Sequence, residues 1–178
     1  MTRDRNSKAR PPLDETALEQ AALRYAARYA TSRAKLKAYL ERKLRERGWA
    51  AEGDPPLDAL VGRMAGRGYV DDRAFAAARA AALSRRGYGA GRLDAALRAA
   101  GIDADDAGEA RAIAADAAWD AALRFAERRR IGPFAAVQAD RPAREKALAA
   151  MLRAGHSPGL ARRIVAARPG EVPQADGC

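Results

Sequence analysis

The side chains best equipped for chemistry in this sequence are arginines set around glycine and tyrosine. Arg85-Arg86-Gly87-Tyr88-Gly89 is followed closely by Arg92. A guanidinium group is a planar fork that grips a phosphate or a carboxylate with two parallel hydrogen bonds. The two glycines let backbone come close to a partner, and Tyr88 offers an apolar body with a polar tip. This cluster is the first candidate contact site. The same residues also fit a solvated basic helix end held by the helix dipole.

A second basic set lies nearer the start. Arg33, Lys35, Lys37, Arg42, Lys43, Arg45 and Arg47 surround the apolar line Leu36, Leu40, Leu44. Lys35, Arg42 and Arg45 form one stripe, because steps of three, four and seven residues return to one helical face. With Arg33 they make a candidate track for a phosphate backbone. Arg128-Arg129-Arg130 and Arg162-Arg163 extend that track or form an ordinary solvated face.

Residues that would do covalent or acid–base work are sparse. Asp71-Asp72 is a paired carboxylate, but no third carboxylate or histidine stands at ligand spacing, so a helix cap is the favoured role over metal or acid–base chemistry. His156 is the only histidine and follows Gly155, where capping is favoured over catalysis. Cys178, the only cysteine, is the last residue, so no internal disulfide or zinc cluster can form. No Gly-rich loop ends in Gly-Lys-Ser/Thr. The expectation is a binding protein, not an enzyme, with no cofactor and no metal.

The composition is rich in alanine, leucine and arginine and poor in β-branched residues, which favours helix nearly throughout. The 178 residues carry a net charge of +10. That charge is segregated: +7 over residues 1–50, +2 over 51–100, −4 over 101–118 and +5 over 119–178. A basic surface releases counterions on meeting a polyanion, so nucleic acid or an acidic protein groove is the natural partner class. No apolar run is long enough to span a bilayer, and Met1–Arg10 lacks the apolar stretch of a secretory signal, so a cytoplasmic protein that meets no membrane is expected.

Three segments repeat one pattern. Leu36, Leu40, Leu44 leads to Gly48; Leu93, Leu97 leads to Gly101; Ala147, Met151 leads to Gly155. Each is a helix with an apolar face that closes on glycine, the residue suited to a left-handed helix end. Before each lies another apolar-striped helix, in which Arg24-Tyr25-Ala26 and Arg124-Phe125-Ala126 echo one another. A shorter helix follows each. The reading is all-α: three tandem three-helix units over 14–70, 71–118 and 119–169, between flexible tails at 1–13 and 170–178, forming an elongated, curved array. Ser32 and Ser157 are expected N-caps. Trp49 and Trp119 are expected packing anchors.

The centre of the chain runs Gly68-Tyr69-Val70-Asp71-Asp72-Arg73-Ala74-Phe75, then Arg85-Arg86-Gly87-Tyr88-Gly89, then Arg92-Leu93 through Leu97 to Gly101-Ile102. This order of motifs resembles the RecX regulatory family, small bacterial proteins that modulate the RecA recombinase. The first unit fits too, through Tyr29, Ser32, Arg33, Leu36, Leu40, Leu44, Arg47 and Gly48, and the resemblance covers roughly residues 17–168. It implies a monomeric regulator that binds the RecA–DNA filament in its groove, touches DNA weakly through phosphates, and lowers recombinase, ATPase and co-protease activity. A stand-alone DNA-binding protein is the alternative. Tyr69 and Phe75 are expected to pack at the joint between the first and second units, with Asp71 or Asp72 capping the next helix.

Overall fold

The computed structural model describes residues 11–175, and over them the chain is helical. Its contacts divide it into two units, one ending at Asp72 and the other beginning at Arg73.

The first unit is built from α1 (Glu15–Arg28), α2 (Arg33–Arg47) and α3 (Leu57–Gly66). The starts of α1 and α2 are set by side chains that accept orphan backbone amides. Asp14 accepts from the Ala17 amide at 2.7 Å, and Ser32 from the Lys35 amide at 3.2 Å. Leu18 and Ala22 from α1, Leu36 and Leu40 from α2, and Leu60 and Met64 from α3 bury completely or nearly so in one core.

Leu13 lies in that core with no exposed surface, although the sequence reading placed it at the end of a flexible tail. The Leu13 amide donates to the Gly48 carbonyl at 3.0 Å, and the Ala50 amide donates to the Leu13 carbonyl at 2.9 Å, a one-residue parallel bridge beside Trp49. Arg47 adds two bonds from its guanidinium to the Pro11 carbonyl. The chain before α1 is thus stitched to the end of α2, and one apolar residue, Leu13, among prolines and charges supplies the anchor. Residues 1–10 of the expected basic tail, and Cys178, lie outside the described residues.

The second unit carries α4 (Asp72–Arg85, entered from the first unit's last residue), α5 (Ala90–Ala99), α6 (Gly108–Asp116), α7 (Ala118–Arg129), a short 3-10 turn at Gly132–Phe134, α8 (Arg141–Arg153) and α9 (Pro158–Ala166). Ser157 caps α9 as expected, and Asp140 caps α8. The segments read as second and third repeats both fall here, and each keeps an apolar cluster of its own. One gathers Ala76, Ala80, Leu83, Leu93, Leu97 and Ala110. The other gathers Phe125, Ala126, Met151, Ala161 and Ile164. Tyr88 packs partly buried against both. Gly48, Gly101 and Gly155 have positive φ, at 80°, 64° and 90°, as helix-closing glycines should. The tail read from residue 170 begins tethered, because the Gly170 amide donates to the Pro133 carbonyl at 2.8 Å.

Candidate functional site

Alanine-rich helices bring backbones close, and the second unit uses that at one crossing. Gly89 donates its amide to the Ala154 carbonyl at 3.0 Å, and Gly91 donates to the Gly155 carbonyl at 3.0 Å. A Cβ on Gly89 would sit 2.3 Å from the Gly155 carbonyl oxygen, and one on Gly155 would sit 2.2 Å from the Arg92 amide nitrogen. The glycines of Gly87-Tyr88-Gly89 therefore admit the chain's own α8–α9 turn. In sequence the same glycines fit either approach to an external partner or a solvated helix end. His156 is buried beneath this crossing, its Nε2–H donating to the Gly87 carbonyl at 3.2 Å and its ring 5.4 Å from that of Phe125. Burial pulls its pKa below the ordinary value, and the bond to Gly87 opposes that shift.

This stitching sets the end of α4 and the start of α5 beside α7 and α8. The result is a concavity of about 560 Å³ lined by Arg86, Tyr88, Arg92, Phe125, Arg128, Arg129, Ala150, Arg153 and Ala154. Two aromatic rings form its body. Arg86 and Arg92 stand 5.7 and 5.9 Å from the Tyr88 ring centre, and Arg128 and Arg129 stand 5.6 and 5.8 Å from that of Phe125. Contacts of this kind contribute about 0.5–1 kcal/mol each at exposed sites and hold a guanidinium in place while leaving its edge open. Arg128 also donates to the Arg86 carbonyl at 2.8 Å, satisfying an acceptor near the end of α4. No carboxylate lines the concavity, and among the described residues none of its five arginines is ion-paired. Five like charges converge on an open basin, which an anion of matching shape would relieve.

The predicted residues sort unequally onto this geometry. Arg86, Tyr88 and Arg92 come together in the basin. Arg85, the last residue of α4, is exposed but does not line it; Arg86, in the turn that follows the helix, does. Arg33 is drawn into the fold: its amide donates to Asp72 Oδ1 at 2.8 Å, and its Nε–H donates to Oδ2 at 2.9 Å. Asp72 thus bonds the start of α2, 39 residues earlier in the chain. Lys35, Arg42 and Arg45 are exposed on α2, and Arg42 lines a second concavity. Tyr69 is 53% exposed, and Val70 beside it takes the buried place expected of the tyrosine. Phe75 is half-buried on α4, Asp71 is exposed, and Gly68 and Gly101 close α3 and α5 with positive φ. Trp49 and Trp119 are both half-buried. Arg153 was missed because nothing in sequence links it to a turn over sixty residues earlier. The echo of Arg24-Tyr25-Ala26 in Arg124-Phe125-Ala126, read in sequence only as a repeat, is the signal that could have found the aromatic floor.

Among the described residues, no three His, Cys, Asp or Glu side chains group as metal ligands, and no helix is long and apolar enough to cross a membrane. Fold and basin together define a class: a strongly basic helical protein whose concave surfaces carry guanidinium groups and aromatic rings. A model of the second three-helix domain of RecX matches residues 71–110. Regulatory protein RecX of Myxococcus xanthus (strain DK1622) is 30% identical over 175 residues, which cover 94% of each chain. The chain belongs to the RecX family of regulatory proteins. Its fold is shared by a crystal structure of regulatory protein RecX, with TM-score 0.62, 19% identity, and 84% of this chain matched to 70% of that one. RecX from Lactobacillus salivarius aligns with TM-score 0.61 at 16% identity, over 85% of this chain and 94% of that one.

Proposed function

We propose that this RecX-family protein binds the RecA filament assembled on DNA, within its helical groove, and inhibits recombinase, ATPase and co-protease activity. The observation that carries this reading is the basin of Arg86, Arg92, Arg128, Arg129 and Arg153, open and without a carboxylate in its lining. Acidic side chains of a protein groove, or phosphates at its floor, suit such a surface, because charge-assisted bonds to guanidinium are stronger than neutral ones. Several modest contacts on one chain add through effective concentration, so a monomer with weak affinity for free DNA still occupies a filament. It acts in the cytoplasm by occupying its partner, without catalysis of its own.

The test is RecA-driven ATP hydrolysis on single-stranded DNA with the protein added in increasing amounts. Hydrolysis falls as the protein approaches stoichiometry with the filament. An unchanged rate at and above stoichiometry would sink the proposal.

A further inference from the structure

The first unit has a concavity on the same plan as the arginine basin but of different chemistry. In both, the first helix of a group places an aromatic residue on the floor and an arginine three residues on at the wall: Tyr25 with Arg28 on α1, and Phe125 with Arg128 on α7. The next residue differs. It is Tyr29, just past the end of α1, and Arg129, the last residue of α7. The second helix differs as well, since α2 contributes Tyr39, Arg42 and Lys43 where α8 contributes Ala150 and Arg153.

The consequence is a cluster of three tyrosines in a hollow of about 470 Å³, completed by Arg24, Arg28, Arg42 and Lys43. The Tyr25 and Tyr39 rings are stacked, with centres 4.1 Å apart and planes 16° from parallel. Tyr29 leans on Tyr25 at 5.2 Å and 50°, and is 49% exposed. Arg28 stands 5.6 Å from the Tyr29 ring, and Arg42 and Lys43 stand 5.5 and 5.8 Å from the Tyr39 ring. Glu46 offsets part of this charge, at 2.6 Å from Lys43 and 3.6 Å from Arg42. Arg24 bonds the neutral Gln20 amide at 3.4 Å.

Purely ionic recognition would be better served by the other basin, which has more cations and no acid in its lining. Here the exposed surface is ring, and the cations border it. Aromatic platforms edged by cations are how proteins hold unpaired bases, because every base has a flat face to stack and a phosphate beside it. A hollow of this size lies within the ordinary range for a small ligand and admits a nucleoside with its phosphate. A duplex hides its base faces, and the carboxylates of an acidic peptide offer no flat face to stack on three tyrosines.

We propose that the Tyr25–Tyr29–Tyr39 hollow between α1 and α2 is a binding site for single-stranded nucleic acid, with a base stacked on Tyr29 and flanking phosphates on Arg24, Arg28 and Arg42. The inference does not rest on the recombinase reading, and its assay contains no recombinase. Binding of the full-length protein to a labelled oligothymidylate is followed by fluorescence anisotropy, beside an abasic strand of equal length and charge. The abasic strand binds more weakly. Tyr29→Ala weakens oligothymidylate binding by roughly 5- to 100-fold, the range of one lost stacking contact, and barely changes binding of the abasic strand. Tyr29→Phe restores the affinity, and Arg28→Gln lowers the salt slope by about 0.7. Helicity by circular dichroism accompanies each variant, and the half-exposed position of Tyr29 leaves the fold intact. Equal affinity for the two strands, or full affinity of Tyr29→Ala for oligothymidylate, overturns the site. So does displacement of the strand by polyglutamate as readily as by unlabelled oligothymidylate, which would make it a site for acidic proteins.

Discussion

Gly89→Ala places a methyl group where the structure has room for none. Gly89 itself has ordinary extended backbone angles, φ −86° and ψ 174°, so the substitution adds no torsional strain. The penalty is collision: the new Cβ would lie 2.3 Å from the Gly155 carbonyl oxygen and 2.6 Å from the His156 amide nitrogen. Both obstacles are backbone, so neither can rotate away. Relief requires the α8–α9 turn to retreat by about an ångström, which lengthens the bonds from Gly89 to Ala154 and from Gly91 to Gly155. Two bonds at about 1 kcal/mol each and about 1–3 kcal/mol of overpacking, less roughly 0.5–1 kcal/mol from the stiffer unfolded chain, leave a net loss of about 2–4 kcal/mol. For a chain of this length that is a fall in Tm of roughly 5–15 °C. Thermal unfolding followed by circular dichroism measures it. Gly62→Ala is the matched control, because Gly62 lies inside α3 with nothing within 4 Å of the added methyl. It raises stability by about 0.5–1 kcal/mol. A Gly89→Ala protein that melts within a degree or two of the parent would refute the close crossing and, with it, the positioning of the arginine basin.

Three further outcomes follow from particular contacts. Asp72→Ala leaves the Arg33 amide and guanidinium without their buried carboxylate, lowering stability by about 1–3 kcal/mol in urea unfolding, toward the lower end because Arg33 is 46% exposed on its side chain. Leu13→Ala costs about 2–5 kcal/mol by opening a cavity in the first unit's core, where a flexible-tail residue would cost nothing measurable. The pKa of His156 is lowered in the folded protein, so the unfolded chain takes up the proton more readily. Its contribution is present in full above about pH 6.5 and is lost as pH falls below that toward the folded value. Melting temperature therefore drops as pH falls below about 6.5, and His156→Gln flattens that part of the profile.

Periodicity and punctuation carried the fold a long way. Leucines every fourth residue closed by glycine located α2 and α5, Ala147, Met151 and Gly155 located α8, and Ser32 and Ser157 marked their helix starts because capping is a local interaction between neighbours in sequence. What local pattern cannot encode is which distant segments meet. Asp72 bonds Arg33, Leu13 pairs with the end of α2, and Gly89 opposes Gly155, each through contacts made only on folding. The candidate site was half legible for the same reason. Arg86, Tyr88 and Arg92 share one turn and could be read together. Arg128, Arg129 and Arg153 join them only because two glycines let the α8–α9 turn close against that turn. Arg85 shows the limit of adjacency: it ends α4 outside the basin, while Arg86, in the turn after the helix, lines it.

The central claim is that the arginine basin is the surface by which this protein engages the RecA filament. Its most direct test is co-sedimentation with RecA filaments on single-stranded DNA, comparing the parent with Arg92→Glu/Arg129→Glu and with Arg85→Glu, helicity being checked in each. The double variant reverses two basin charges and loses at least tenfold in filament affinity, while Arg85→Glu, altered outside the basin, stays within a few-fold of the parent. A folded double variant that sediments with the filament as the parent does would contradict the claim.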